Sequence, residues 1–235
     1  MRRRASTVLM VLGLLTLVQA KAYGQATAAP RRHSLELAGG FAFLSGIDFG
    51  SRDANLTAND PGDPGYPLFH TATTLGAGTG VDGRIAFNVT RTVAAEGGFL
   101  WARQTLRTRV TGDIEGAPNT TLTQAFDTYV MEGAVVVHLT KAQFAGGKGL
   151  PFVLGGAGYR RQLDDRQRLT DSGPAFDAGG GVKYFFVRRP RGALRDFGVR
   201  SDARVYVQSI DGDTDIDGKS TRVTWVLTAS ALLRF

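Results

Sequence analysis

The feature that most constrains this chain is a strict alternation of apolar and polar residues, which is clearest in its final segment, 221–235. Every second residue from Val223 to Phe235 is apolar, whereas the intervening positions are mixed and mostly polar. Successive side chains of a β-strand point to opposite faces, so a period of two predicts a strand whose faces meet different surroundings. Chain termini normally fray into water. An end this apolar therefore predicts a strand that is inserted into something other than water.

The same alternation recurs upstream in segments of about ten residues, the length that a tilted strand needs to cross a bilayer. The segments are separated by stretches rich in Gly, Pro, Asp and Asn, which are typical of turns and loops. Together they predict an all-β fold, an eight-stranded antiparallel up-and-down transmembrane β-barrel. The predicted strands cover residues 35–43, 74–89, 93–102, 128–139, 153–160, 176–186, 197–208 and 221–235. Phe152 and Leu154 do not fit the alternation of the fifth strand.

The connections between these strands alternate in character. Those after the first, third, fifth and seventh strands are longer or acid-rich, and the others are mostly shorter and basic. Transmembrane barrels have this asymmetry, with short periplasmic turns and longer external loops. We therefore expect both chain termini on the periplasmic side. The predicted external loops cover residues 45–72, 105–120, 162–173 and 209–220.

The beginning of the chain has the pattern of a secretory signal peptide. A basic start, Arg2 to Arg4, precedes an apolar core at 8–18 that is shorter than the roughly 20 residues of a membrane-spanning helix. Small residues follow at spacings suited to cleavage after Ala20 or Ala22, which predicts export through the general secretory pathway. The predicted divisions are a signal peptide at 1–22, a short periplasmic leader at 23–33 and an outer-membrane barrel at 34–235.

Composition excludes several classes of function. The chain has no cysteine, which rules out disulfides, thiolate catalysis and zinc–thiolate sites. Its formal net charge is +7, but Arg2 to Arg4 belong to the predicted signal peptide. The remaining excess is too small to indicate a nucleic-acid partner. No cofactor is predicted, because the Gly-rich runs at 76–80 and 155–158 are not followed by a helix, as a nucleotide-binding loop would be.

The two faces of the predicted strands differ in charge. With strand registers chosen for the greatest contrast, one face carries no Asp, Glu, Lys or Arg, and the other carries charges of both signs. A Lys or Arg on the lipid face at the bilayer midplane costs roughly 2–4 kcal/mol, so contact with lipid removes charge from that face. We therefore place the charged face inside the barrel. The predicted interior network comprises Glu36, Asp82, Arg84, Glu96, Glu132, Arg160, Asp177, Lys183, Arg200, Asp202 and Arg204, with Arg234 at the periplasmic mouth.

Alternation alone does not distinguish a membrane barrel from a secreted, lipocalin-like binding barrel, in which the two faces would be reversed. The signal-peptide pattern, the apolar terminal strand and the aromatic residues near strand ends favour the membrane. The predicted girdle and assembly signal comprise Trp101, Tyr129, Tyr159, Tyr184, Trp225 and Phe235.

Several segments resemble the outer-membrane β-barrel domain of the OmpA-type and porin-like small barrels. They are the terminal strand ending in Phe235, the Gly-rich strand 155–159, and the pair 179–185 and 197–204. The resemblance covers the mature chain and implies an eight-stranded barrel whose terminal strand is recognised by the barrel-assembly machinery. The expected partners are that machinery and outer-membrane lipid, and any ligand of the external loops is left open.

Two functions are compatible with a charged interior. The bore of an eight-stranded barrel is just filled by side chains, so the interior charges must pair or reach water. A plug of ion pairs would make the protein a non-enzymatic structural component of the bacterial envelope, and this is the hypothesis we favour. A gated path through the charges would instead make it a narrow porin-like channel for ions or small solutes.

One loop has part of a calcium-binding pattern. Asp213, Asp215 and Asp217, followed by Gly218, match the first half of a calcium loop. Thr224 stands where the pattern needs a bidentate Glu, so these carboxylates are a weak calcium candidate and no metal site is predicted.

The sequence offers no catalytic residues either. Lipid-hydrolysing barrels need Ser, His and an acid together near the outer rim. The histidines are His33, His70 and His138. The first and last are expected at the periplasmic end, and His70 has no obvious Ser partner.

Overall fold

The computed structural model of the protein describes residues 28–56, 66–166, 168–189, 192–209 and 221–235. The predicted signal peptide and its cleavage sites lie outside these residues. The described chain is all-β and antiparallel, as the alternation predicts, with a short 3-10 helix at Thr140–Ala142. No helix in these ranges is long and apolar enough to cross a membrane. The strands are β1 (Ser34–Leu44), β2 (Ile47–Leu56), β3 (Tyr66–Leu75), β4 (Gly78–Asn88), β5 (Val93–Thr111), β6 (Thr120–His138), β7 (Gly149–Asp164), β8 (Leu169–Arg188), β9 (Asp196–Ser209) and β10 (Thr221–Arg234).

Strand pairing runs around the structure and returns to its starting point. β1 pairs with β4 on one side and with β10 on the other, so that Glu36 lies opposite Arg234. From β4 the pairing continues in order through β5, β6, β7, β8 and β9 to β10. The hairpin of β2 and β3 extends beyond this ring and joins it through β3 and β5. Residues of this up-and-down sheet therefore face either the inside or the outside of the ring.

The structure has ten strands where the sequence predicts eight. The difference arises because bends separate β1 from β2 at Ser45 and Gly46, and β3 from β4 at Gly76 and Ala77. Both bends meet at Gln104 of β5, whose Nε2 donates to the carbonyl oxygens of Ser45 and Gly76 at 3.4 and 3.1 Å. Buried carbonyl groups need such partners wherever the sheet ladder is interrupted. One side-chain amide therefore stabilises both bends.

The predicted external loops are too long. The predicted loop 45–72 contains β2 and the start of β3, and the predicted loops 105–120 and 162–173 contain strand ends of β5 to β8. These extensions escape the alternation because neither face is consistently buried: β5 beyond Gln104 is exposed or half-buried on both faces. A strand without one apolar face has no period-two signal in its sequence. Nearly all of the predicted loop 209–220 lies outside the described residues.

The charged face of the ring points inward and the apolar face points outward. Burial alternates along β10, where Trp225 and Leu227 are 57% and 50% exposed but Arg234 only 4%. A barrel that folds in water has the opposite arrangement, with its apolar residues inside. We call the outward residues the apolar band. Its large exposed members include Phe41, Phe43, Val81, Ile85, Phe87, Phe99, Met131, Val135, Val153, Tyr159, Phe176, Phe197, Val199, Val223, Trp225 and Leu227.

We expect Gly158→Ala to destabilise the barrel. A Cβ at this inward position of β7 would lie 2.2 Å from the carbonyl oxygen of Met131 on β6. Relieving that overlap requires the two strands to separate, which should lower the free energy of unfolding by about 1–3 kcal/mol. The measurement is the urea midpoint of the folded form in detergent.

Gly155→Ala on the outward face of the same strand is the matched control. The added Cβ would come no closer than 3.8 Å to the carbonyl oxygen of Asp177, so the midpoint should stay at the wild-type value. Equal losses in both variants would contradict a role for the inward glycine.

Candidate functional site: the charged interior

The interior charges are the candidate functional site. Every residue assigned to the interior network from the sequence lies inside the ring, with at most 4% of its side-chain surface exposed. The structure divides most of them into two groups. The central cluster comprises Asp82, Arg84, Glu96, Glu132, Asp177, Arg200, Asp202, Arg204 and Tyr206. The terminal cluster, near the first and last strands, comprises Glu36, His138, Lys183, Asp196 and Arg234.

Two bidentate pairs anchor the central cluster. Arg84 donates Nε and Nη2 to the two oxygens of Asp82 at 2.9 and 2.6 Å. Arg200 donates Nη1 and Nη2 to the two oxygens of Glu96 at 2.5 and 3.0 Å. Bidentate guanidinium–carboxylate pairs combine charge with fixed geometry and are among the strongest polar contacts in proteins. They hold each guanidinium plane in one orientation.

Arg204 and Glu132 link these pairs across the bore. Arg204 donates Nε to Asp202 at 2.7 Å and Nη1 to Glu132 at 2.5 Å. Glu132 also accepts from Arg84 at 2.5 Å and from the hydroxyl group of Tyr206. These residues belong to β4, β6 and β9, which are not neighbours in the ring. Glu132 therefore ties together separate parts of the barrel wall.

The terminal cluster fixes the seam at which the ring closes. Glu36 of β1 accepts from Lys183 Nζ at 2.5 Å and from Arg234 Nε at 2.8 Å. Lys183 also lies 3.0 Å from His138 Nε2, and Arg234 Nη1 lies 3.0 Å from Asp196 Oδ2. Residues from β1, β6, β8, β9 and β10 thus meet at one end of the bore.

Aromatic rings lie against the interior cations, which explains the inward position of Phe152, and Leu154 packs beside it with Ala94 and Val136. Phe152 and Leu154 of β7 both point inward. The guanidinium of Arg200 lies 4.7 Å from the centre of the Phe152 ring, and Lys183 Nζ lies 5.4 Å from it. Cation–π contacts of this kind are favourable where water is excluded. On β7, Val153 therefore faces outward as predicted, and its apolar neighbours Phe152 and Leu154 face the bore.

Inward glycines make room for the long charged side chains. A Cβ on Gly98 would lie 2.8 Å from Arg84 Nη1 and 3.0 Å from Glu132, and one on Gly156 would lie 2.5 Å from Asp177 Oδ1. The interior of a small barrel is only wide enough for its own side chains. Part of the high glycine content, 31 of 235 residues, therefore follows from the bulk of the interior charges.

Beyond the central cluster the bore contains a small pocket that is partly open to solvent. Its polar wall is hydrogen-bonded: Thr128 donates to Gln104 at 3.1 Å, and Gln162 donates to Thr128 at 3.2 Å. Arg160, on the same wall, pairs with Asp171 of β8. Tyr206 is the residue of the central cluster that lines this pocket. The apolar lining comprises Leu44, Ile47, Leu100, Val130, Ala175 and Val226.

The residues of the predicted girdle lie on the outer surface near the ends of the apolar band. Trp101 and Tyr129 are direct partners across β5 and β6. The N–H of Phe235 donates to the carbonyl oxygen of Leu35 at 2.8 Å, which continues the ladder between β10 and β1. Tyr159 and Trp225 are exposed, and Trp101, Tyr129, Tyr184 and Phe235 are half-buried.

Sequence reasoning missed several members of the interior site. Asp171 and Asp196 lie outside the predicted strands, although both pair with an interior arginine. Tyr206 and His138 lie on the inward face by alternation, but they carry no formal charge and are therefore absent from a network defined by charge. The alternation would have found these two; the two aspartates required the true strand ends.

The other candidate sites show little organisation. His70 Nδ1 lies 2.6 Å from Asp53 Oδ1, and both side chains are exposed at the β2–β3 hairpin. His33 packs against the Phe87 ring at 5.9 Å. Among the described residues no group of His, Cys, Asp and Glu is arranged to hold a metal. The weak calcium candidates Asp213, Asp215 and Asp217 lie outside those residues.

Comparison with solved structures identifies the fold. The outer-membrane protein OprG from Pseudomonas aeruginosa is similar over 89% of this chain and 99% of its own, with a TM-score of 0.54 and 11% identity. The chain has the fold of an outer-membrane β-barrel protein. Two structures of Ail, the attachment invasion locus protein of Yersinia pestis, match less well, one of them a complex with the heparin analogue sucrose octasulfate. Each covers 87% of this chain and 99% of its own, with TM-scores of 0.43 and 0.41 and identities of 11 and 12%.

The resemblance to small outer-membrane barrels predicted from the sequence is thereby confirmed for the fold. Sequence comparison adds nothing to it, because no protein family and no curated protein matches the chain.

We expect Glu132→Ala to destabilise the barrel strongly. The change leaves Arg84, Arg204 and the Tyr206 hydroxyl without their shared acceptor. Breaking one side of a buried ion pair typically costs about 3–5 kcal/mol. Urea unfolding in detergent, followed by gel mobility and circular dichroism, measures the loss.

Asp53→Ala is the control, because it removes the exposed partner of His70 and should cost no more than about 1 kcal/mol. An unchanged midpoint for Glu132→Ala would contradict the view that the interior depends on paired charge.

Proposed function

We propose that the protein is an integral, non-enzymatic β-barrel of the bacterial outer membrane that contributes to envelope structure. The observation that carries the proposal is the inverted distribution of side chains, with paired charges inside and the apolar band outside. Such a surface is unstable in water but suits the acyl chains of a bilayer. The OprG-like fold supports the same conclusion.

Eight membrane crossings are part of this proposal. The segments β1–β2 and β3–β4 each act as one long bent strand, and the other strands cross once. On β5 the outward residues are apolar or small from Val93 to Trp101, and Arg103 follows. That length agrees with the roughly 9–11 residues of a tilted transmembrane strand. The turns and the two chain ends opposite the β2–β3 hairpin then face the periplasm, and the signal peptide at 1–22 directs export through the general secretory pathway.

The interior favours a closed plug over a channel. The guanidinium groups of Arg84, Arg200 and Arg204 are each held by at least two carboxylates. They reach into the bore from β4 and β9, so an ion passing through must break both bidentate pairs and the contacts of Arg204. Tyr206 of this cluster lines the pocket on the loop side. The barrel-assembly machinery and outer-membrane lipid are the partners this function requires.

The lipid-facing role of the apolar band is tested by Val135→Arg. Val135 lies on the outer face of β6 near the middle of the band and is 55% exposed. A lipid-facing arginine at the bilayer midplane should lower the free energy of unfolding in phospholipid vesicles by roughly 2–4 kcal/mol. Thr123→Arg on the same face of the same strand lies beyond the band and is already exposed, so it should have no effect. Equal tolerance of both changes would argue for a water-soluble barrel.

The closed interior is tested by conductance in planar bilayers. The unaltered protein should show no steady single-channel steps. Replacing Arg204 and Glu132 together by Ser removes both partners of a buried pair without leaving a net charge, and it should open a narrow path with small, steady steps. Heat-dependent gel mobility confirms that the variant is folded before it is recorded. Regular single-channel steps from the unaltered protein would contradict a closed interior and favour a narrow channel.

A further inference from the structure

The apolar band ends differently on different strands. On every ring strand except β9, whose outward Ser201 lies within the band, the first polar outward residue toward the β2–β3 hairpin marks the upper edge of the band. On four strands this residue is uncharged: Ser45, Thr79, Ser172 and Thr221. On β5, β6 and β7 it is Arg103, Asp127 and Arg161. Charge therefore meets the edge of the band on one side of the barrel.

Arginine continues up the outer face of β5. Arg103, Arg107 and Arg109 are all exposed and share the outward face, and Arg161 on β7 is exposed as well. We call these four residues the outer arginine patch. Outward residues of one strand are about 7 Å apart. The patch thus begins immediately beyond the aromatic residues of the girdle.

Aromatic and basic residues are interleaved at that edge. Trp101, Tyr129 and Arg161 are successive cross-strand partners on β5, β6 and β7. The row below consists of Phe99, Met131 and Tyr159. Apolar and aromatic groups therefore lie directly beneath the guanidinium groups. This is the order of groups in a phospholipid or phosphorylated glycolipid, whose charged head lies above its acyl chains.

Neighbouring carboxylates balance only part of the charge of the patch. Asp127 stands opposite Arg103 in the register, and Asp48 faces the same surface near Arg107. Among the described residues, however, none of the four arginines forms an ion pair. The arginines of the central cluster, by contrast, are all saturated by carboxylates. The outer patch keeps its guanidinium donors available for an anion from outside the chain.

We propose that the outer arginine patch binds the phosphate groups of a lipid in the outer leaflet, with the acyl chains of that lipid against Phe99, Met131 and Val135. This rests on the proposed function, which places the band in the membrane and the patch at its outer surface. Arginine suits the task because its planar fork donates two hydrogen bonds to phosphate. Each basic residue near an anionic surface contributes about 1 kcal/mol, so three together change affinity by roughly 100-fold.

The test compares lipid retention by two matched variants. The patch variant carries Arg103→Gln, Arg107→Gln and Arg109→Gln. The control carries Arg31→Gln, Arg32→Gln and Arg91→Gln, which remove the same charge from exposed positions at the opposite end of the barrel. Each folded protein in nonionic detergent is titrated with bis-phosphorylated lipid A or its dephosphorylated form, and bound lipid is counted by native mass spectrometry.

We expect the unaltered protein and the control to retain phosphorylated lipid A equally, and the patch variant to bind it at least about 10-fold more weakly. The dephosphorylated form should bind weakly to all three. Equal retention by the patch variant, or equal loss in the control, overturns the proposal. Displacement of the lipid by equimolar inorganic phosphate would overturn the assignment to a lipid.

Heat-dependent gel mobility and vesicle insertion are recorded for the same samples. A patch variant that inserts normally but loses lipid A supports the site. If the unaltered protein fails to insert, the proposed function fails instead, and the two results are distinguishable.

Discussion

The structure depends on the pairing of charges in a bore too narrow to hydrate them. Unpaired buried charge costs several kcal/mol, whereas paired charge replacing an apolar core often adds little stability. The central cluster therefore contributes less to overall stability than to fixing the register in which the strands pair. A slip of one residue on β9 would turn Arg200, Asp202 and Arg204 toward the outside and place their apolar neighbours in the bore. Interior pairing penalises that alternative heavily, and Glu132 extends the constraint to strands that do not touch.

The limited space in the bore also explains why glycines occupy inward positions beside the interior charges. Long cations cannot fit into a small bore unless the facing positions are empty, and Gly98 and Gly156 supply that space beside Arg84 and Asp177. Bends in the first four strands solve a second problem, since β2 and β3 extend past the ring. Gln104 donates hydrogen bonds to the carbonyl groups of Ser45 and Gly76, one at each bend. The long charged residues of this interior thus occupy the space left by glycines. The polar Gln104 supplies hydrogen bonds where the strand pairing is interrupted.

Much of the fold can be predicted from the sequence, because two signals depend only on residues close together in the chain. Alternation assigns Arg200, Asp202 and Arg204 to one face whatever their partners, and the absence of charge from the other face separates inside from outside. The pairings themselves were not accessible: Arg84 and Glu132 are far apart in sequence, and no local pattern joins them. The strand extensions are not predicted because both faces of β5 beyond Gln104 have similar surroundings, and the alternation of β2 is limited to residues 47–49. Phe152 does not fit the predicted alternation because a cation above its ring makes an inward aromatic residue favourable.

Arginine on this barrel takes two roles according to what surrounds it. Inside, Arg84 meets Asp82, Glu96 and Glu132 within 3.3 Å, so its donors are occupied and no external anion can compete for them. Outside, Arg103 faces solvent beside Asp127 and forms no ion pair within the described part of the chain. A count of basic residues would assign anion binding to the interior, where they are densest. Because recognition requires free donors rather than net charge, the capacity to bind an anionic group lies on the outer wall, at the edge of the apolar band.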